Sequence, residues 1–190
     1  MTIAETLRPP WAALLFLVVF LAGCTTTTVT PEFVQPPAMK YQVVAVGDIS
    51  IVDKQLWGQL APHFRRAFIE RIRKEKTFTG ALDPAPNPLP TEGLLFTGKI
   101  TEVDKGSKAA RLIIGFGAGR AKVRGQFQIR DASGKVLVKF ESKKAYSGGV
   151  GIGGADFLDM QDLMAKFGED VAGSLISWSK GQGLEPPAPE

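Results

Sequence analysis

The sequence predicts an α+β domain of two layers, in which a mainly antiparallel sheet carries two helices on one face, in the order β-α-β-β-β-β-α. Apolar residues recur at helical spacing over residues 56–72 and again over 157–178. Between them, apolar and polar residues alternate strictly over 120–130, which is typical of a strand with one buried face. Strands that follow one another through short turns favour antiparallel pairing.

The first half of the domain is predicted to be a strand followed by a helix. The β-branched segment 41–49 predicts a strand that ends at Gly47 and Asp48. Asp53 is the expected N-cap of the helix, and basic residues at 71–76 lie where the helix dipole favours cations. Because Pro62 lies within this stretch, one bent helix is expected.

The second half is predicted to be a block of strands followed by a helix. Four prolines over 82–90 predict a rigid, non-helical connection into strands spanning 93–146. The turn Asp131-Ala132-Ser133-Gly134 predicts that 136–146 returns as a hairpin partner. The final helix is expected to begin at Asp156.

The N-terminus resembles a bacterial lipoprotein leader. Arg8 precedes an apolar run over 11–21, which would rise about 16 Å as a helix, roughly half a hydrocarbon core, so a transmembrane helix is less favoured. The residues Leu21-Ala22-Gly23-Cys24 resemble the lipobox, and that resemblance implies cleavage before Cys24 and acylation of its thiol. An ordinary cleaved signal followed by an unmodified cysteine is the alternative.

These features divide the chain into a signal peptide (1–23), a lipidated cysteine with a disordered tether (24–39), a single α+β domain (40–180) and a disordered tail (181–190). The tether is rich in threonine and proline, and proline-rich chain extends about 3.1 Å per residue. Thr25 stands where an inner-membrane retention signal would show aspartate. By resemblance, this favours an outer-membrane anchor with the domain facing the periplasm.

Few residues suggest catalysis, so no enzymatic activity, metal or cofactor is predicted. His63 is the single histidine and has no recognisable nucleophile beside it in the sequence. The spacing Gly149-x-Gly151-x-x-Gly154 matches a dinucleotide fingerprint by letter, but no strand follows the helix after it. Aspartates at the start of the last helix are more typical of capping than of a metal site.

One face of the predicted sheet gathers cations against a single acid, Glu141. Such a face favours binding to an anionic polymer, to lipid head groups or to an acidic partner, although exposed sheets are also commonly decorated with basic residues. Nucleic acid is not expected, because interleaved aromatic residues are missing. The cations are Lys99, Arg120, Lys122, Arg124, Arg130, Lys139 and Lys143.

A glycine-rich apolar segment is the second candidate contact surface. It is read either as a hairpin tip or bulge, or as an interface between copies formed by Ile114, Gly115, Phe116, Gly117 and Gly119. Together with the lipobox, the segment 110–119 resembles the bacterial lipoprotein family called domain of unknown function 4410, over about 41–178. This resemblance implies an envelope location and a single domain, and it leaves the function open because no activity is attached to the family.

Two functions therefore remain open. The first is a non-enzymatic, membrane-anchored envelope lipoprotein that binds another envelope component through the basic face and the glycine-rich segment. The second is a self-assembling subunit that forms a homo-oligomer at the outer membrane.

Overall fold

The computed structural model describes residues 25–106, 121–146 and 156–184. Its elements confirm the α+β class. In chain order they are β1 (Thr25–Val34), β2 (Val43–Ile51), a short helix α1 (Lys54–Trp57), a 3-10 turn (Gly58–Leu60), α2 (Ala61–Lys74), β3 (Gly80–Leu82), β4 (Gly93–Asp104), β5 (Ala121–Asp131), β6 (Val136–Tyr146) and α3 (Asp156–Ser179).

The strands form one six-stranded sheet in the order β1-β6-β5-β4-β2-β3. Strands β4, β5 and β6 pair antiparallel, as expected, and β1 adds a further antiparallel pairing with β6. Strand β2, however, pairs in parallel with both β3 and β4, so the sheet is mixed. The parallel pairing follows from the connection after β2. A crossover through a helix brings the chain back to the same end of the sheet, so the next strand runs in the same direction as β2.

Strand β1 corrects the prediction of a disordered tether over 24–39. It pairs antiparallel with β6, starting from Thr25 opposite Tyr146. Threonine and valine favour extended backbone, and Val29 packs against the core. A strand at the sheet edge needs few apolar residues, so its hydrophobic pattern was too weak to predict it.

The predicted bent helix is divided into α1, the 3-10 turn and α2. Asp53 caps α1 as expected, accepting a hydrogen bond from the Leu56 backbone N–H at 3.2 Å. Pro62 lies in the first turn of α2, where its missing N–H costs nothing. Leu56, expected in the apolar stripe, is 54% exposed, because it belongs to α1 rather than to α2.

Helices α2 and α3 pack together on one face of the sheet, and an aromatic cluster fills the space below them. The ring of Phe127 lies 5.4–5.8 Å from the rings of Phe64, Phe96, Phe140 and Phe167. It covers Gly98 of β4, where an added Cβ would lie 2.3 Å from the ring. The glycine therefore makes room for the central aromatic residue of the core.

The first residues of the predicted disordered tail belong to the folded domain. Residues 181–184 are described, and Leu184 is buried in the core, whereas 181–190 was expected to be disordered. Gly181 and Gly183 adopt positive φ angles, which allow the turn that brings Leu184 back to the core. No helix of the described ranges is both long enough and apolar enough to span a bilayer.

Candidate binding face

The face of the sheet opposite the helices carries most of the predicted cations. Alternation along β5 turns Lys122, Arg124 and Arg130 away from the buried face. Lys99 of β4, and Lys139 and Lys143 of β6, lie on the same side. We call this surface the open face. Arg120 lies outside the described residues, as do Cys24 and the glycine-rich segment from Ile114 to Gly119.

A bulge in β4 adds acids to the open face. The register with β5 shifts between Ile100 and Glu102, which places Glu102 opposite Arg124 and Asp104 opposite Lys122. A bulge inserts one extra residue and so reverses which residues point outward. The expected ratio of seven cations to one acid is therefore wrong, because unbroken alternation from Lys99 would turn both of these acids inward.

The added acids pair with the cations nearest to them. Lys122 Nζ lies 2.6 Å from Glu102 Oε1, and Arg124 Nε lies 3.3 Å from Glu102 Oε2. Arg124 also contacts Glu141 at 3.4 Å. The hydrogen bond to Glu102, together with its negative charge, raises the pKa of Lys122 above its usual value. This part of the open face is consequently close to neutral.

The cations on the remainder of the open face are not paired in this way. Lys99, Arg130 and Lys139 are exposed, Lys143 is half-buried, and none of the four forms an ion pair with another described residue. A depression of about 380 Å³ crosses this part of the sheet, and its lining mixes cations, acids and amides. The charged and amide residues in it are Glu32, Asp48, Lys99, Gln126, Gln128 and Lys139.

A buried polar cluster lies on the opposite, helix-covered face. Lys144 of β6 has a side chain only 5% exposed, and its Nζ lies 2.5 Å from Asp170 Oδ2 on α3. It also donates to Thr27 Oγ1 of β1 at 3.1 Å, and the Thr27 hydroxyl donates to the Asp170 carboxylate. This cluster was not predicted from the sequence, although period-2 alternation from Phe140 would have placed Lys144 on the buried face.

A second depression, next to α2, contains another ion pair. Arg65 pairs with Asp83 and donates to the backbone carbonyls of Val46 and Gly47 at 3.0 and 2.8 Å. The hydrogen bond from Arg65 lowers the pKa of Asp83. Because β3 covers β2 only as far as Ala45, Arg65 supplies donors to carbonyls on the strand edge beyond it, and the Ala85 N–H also donates to the Val46 carbonyl at 3.2 Å. The role of Arg65 is structural.

Little on the described surface suggests catalysis. His63 Nδ1 lies 3.3 Å from Arg66 Nη2, with no nucleophile among its hydrogen-bond partners there. Within the described residues, no group of three or more histidine, cysteine or acidic side chains could hold a metal ion. The absence of an enzymatic activity stays a prediction.

Comparison with solved structures finds distant likenesses. The PelC dodecamer from Paraburkholderia phytofirmans aligns with a TM-score of 0.47 and 16% identity, over 77% of this chain and 96% of that chain. A protein from Xanthomonas campestris, described with the family DUF330, aligns with a TM-score of 0.46 and 8% identity, over 80% of this chain and 95% of that chain. Likenesses this weak carry no argument about binding or assembly here.

No curated protein matches the sequence. The profile of the family described as Domain of unknown function (DUF4410) matches residues 51–149, more than half of the chain, from the end of β2 to just beyond β6. This match confirms the resemblance to the family, while the lipobox stays a prediction, and the chain belongs to the DUF4410 family.

Proposed function

We propose that this chain is a bacterial envelope lipoprotein that binds an anionic envelope component through its open face and catalyses no reaction. The observation that carries this proposal is the group of exposed cations on the open face, Lys99, Arg130 and Lys139, which form no ion pair in the described structure. Unpaired cations on a broad, polar surface attract a multivalent anion, whereas Lys122 and Arg124 are already occupied by acids.

The proposed membrane anchor is inferred from the N-terminal leader sequence and not from the fold. The lipobox implies that Cys24 carries two or three acyl chains, and each buried CH₂ stabilises membrane attachment by about 0.8 kcal/mol. Thr25 favours sorting to the outer membrane with the domain in the periplasm. A partner on the same membrane would meet the open face at a high local concentration, so individually weak contacts are sufficient.

Charge reversal on the open face tests the binding. Lys99→Glu with Lys139→Glu should reduce recovery of the partner by the detergent-solubilised, full-length lipoprotein, because two attractive charges become repulsive. The matched control is Lys54→Glu with Lys74→Glu, which makes the same charge change at exposed positions away from the sheet. If both double variants recovered the same amount of partner, binding through the open face would be excluded.

Self-assembly is the second candidate function, and strand β1 is the observation that favours it. This ten-residue strand is at the edge of the sheet, and Phe33 and Val34 at its end are about two-fifths exposed. Unpaired strand edges are templates for pairing with another chain, although Pro31 and the bulge beside it reduce that tendency. Light scattering of the solubilised protein should then show an oligomer that Val34→Lys dissociates, and a strict monomer would exclude this function.

A further inference from the structure

Strand β1 is held to the body of the domain at both of its ends. Near its start, Thr27 joins the buried pair of Lys144 and Asp170. Just after its end, the backbone carbonyl of Gln35 accepts a hydrogen bond from Trp178 Nε1 at 2.7 Å. Both contacts lead to helix α3, so β1 is attached through side chains as well as through its pairing with β6.

This attachment extends to the residue next to the lipidation position. Thr25 is already in register with Tyr146 of β6. A trans peptide places consecutive Cα atoms about 3.8 Å apart, so Cys24 follows the end of the sheet directly. A spacer of the kind predicted from the sequence is therefore replaced by a strand that belongs to the domain.

The register also shows which end of the sheet this is. Tyr146 lies opposite both Thr25 and Ala121, and Asp104 lies opposite Lys122. Among the described residues, this end is formed by Thr25, Asp104, Ala121 and Tyr146, and we call it the anchor end. The hairpin turn after Asp131 lies at the other end of β5, whose eleven residues span roughly 33 Å.

We infer that the anchor end contacts lipid head groups, so that the domain keeps one orientation relative to the bilayer and does not rotate freely about a flexible linker. This inference rests on the lipidation of Cys24 proposed above. Acyl chains at Cys24 must lie within the bilayer, and the short covalent connection then brings the anchor end to the head-group layer.

The orientation leaves the open face exposed to the side. The strands run away from the bilayer, so the depression between Asp48 and Glu32 faces the periplasm laterally. A component bound there would lie beside the domain and not beneath it. The inferred orientation thus keeps the binding surface accessible while the lipid anchor is in place.

Energy transfer to labelled head groups measures this orientation. The chain has one cysteine, which acylation blocks, so a cysteine added by Lys105→Cys or Ala132→Cys is a unique labelling position. The lipoprotein is reconstituted in vesicles of phosphatidylethanolamine and phosphatidylglycerol that carry an acceptor on the head group. With a dye pair whose Förster distance is close to the length of β5, transfer should be several-fold stronger from position 105 than from position 132.

A linker variant is the matched control. An insertion of about twenty glycine and serine residues between Cys24 and Thr25 has a root-mean-square span of roughly 25 Å and allows the domain to rotate. It should nearly abolish the difference between the two labels. Equal transfer from positions 105 and 132 in the original chain, with acylated Cys24, would overturn the inferred orientation alone.

If Cys24 is not acylated, the measurements give a different result. Mass spectrometry would then find Cys24 without acyl chains, and the protein would not float with the vesicles. That outcome would overturn the proposed lipoprotein function and the orientation together, so the two failures are distinguishable.

Discussion

The two faces of the sheet each contain a lysine paired with a carboxylate at nearly the same distance, in very different surroundings. On the covered face, Lys144 meets Asp170 at 2.5 Å, and the two side chains are 5% and 19% exposed. On the open face, Lys122 meets Glu102 at 2.6 Å, with side chains 36% and 32% exposed. Because the two distances are nearly equal, we expect burial, and not distance, to decide how much each pair contributes to the free energy of unfolding.

The covered face owes its stability mainly to the aromatic cluster. Phe127→Ala should lower the free energy of unfolding by about 4 kcal/mol, because the ring contacts four other aromatic rings and fills the space above Gly98. Chemical denaturation checks this value. A matched truncation on the open face, Gln126→Ala, should leave the unfolding midpoint nearly unchanged, and equal losses would contradict the division between the faces.

Breaking the buried pair should have the next largest effect. Lys144→Ala leaves the Asp170 carboxylate without its cation, and we expect a loss of about 3 kcal/mol in the free energy of unfolding. Replacing both partners, as Lys144→Met with Asp170→Leu, should restore much of that loss, because no unpaired charge is then buried. A double variant less stable than Lys144→Ala would contradict this explanation.

The pair of Arg65 and Asp83, with side chains about 28% exposed, is intermediate in exposure between the Lys144–Asp170 pair and the Lys122–Glu102 pair. Asp83→Asn should cost about 1 kcal/mol at neutral pH, after allowance for solvent screening. Because the pKa of Asp83 is lower in the folded state, its contribution is present above the ordinary value of 3.8 and is lost as the pH falls through the folded-state pKa. The stabilities of the two proteins should therefore converge in acid, and a gap independent of pH would exclude the ion pair as the cause.

The exposed pair should matter least to folding. Lys122→Ala should leave the midpoint of thermal unfolding within experimental error, because solvent already screens the attraction to Glu102. The raised pKa of Lys122 keeps the side chain protonated through neutral pH, so any small effect should be insensitive to pH there. If Lys122→Ala lowered the unfolding midpoint as much as Lys144→Ala, the distance within a pair would determine its contribution to stability more than its burial does.

Local patterns predicted the elements that the core defines. The apolar stripes of α2 and α3 and the alternation of β5 depend on burial within one segment, and they indicated the fold correctly. Strand β1 was not predicted, because it is stabilised by pairing with β6, which lies more than a hundred residues later in the sequence. A single sequence contains no local signal for such long-range pairing.

The candidate site was predicted only in part, for a similar reason. The cations of the open face followed from alternation, but the bulge before Glu102 shifted the register and brought acids among them. Bulges depend on how neighbouring strands fit, which period-2 patterns do not include. The inward position of Lys144, in contrast, was available from the pattern of β6, and its partner Asp170 was not.

Site-specific photo-crosslinking in intact cells tests whether the open face binds an envelope component. A photoreactive residue replaces Gln126, which is exposed on the open face beside the depression, or Glu70, which is exposed on α2 as the control. We expect a distinct adduct with an envelope component from position 126 only, and we expect this adduct to be lost when Lys99→Glu and Lys139→Glu are also present. An equal adduct from position 70, no adduct at 126, or one indifferent to charge reversal would contradict binding through the open face.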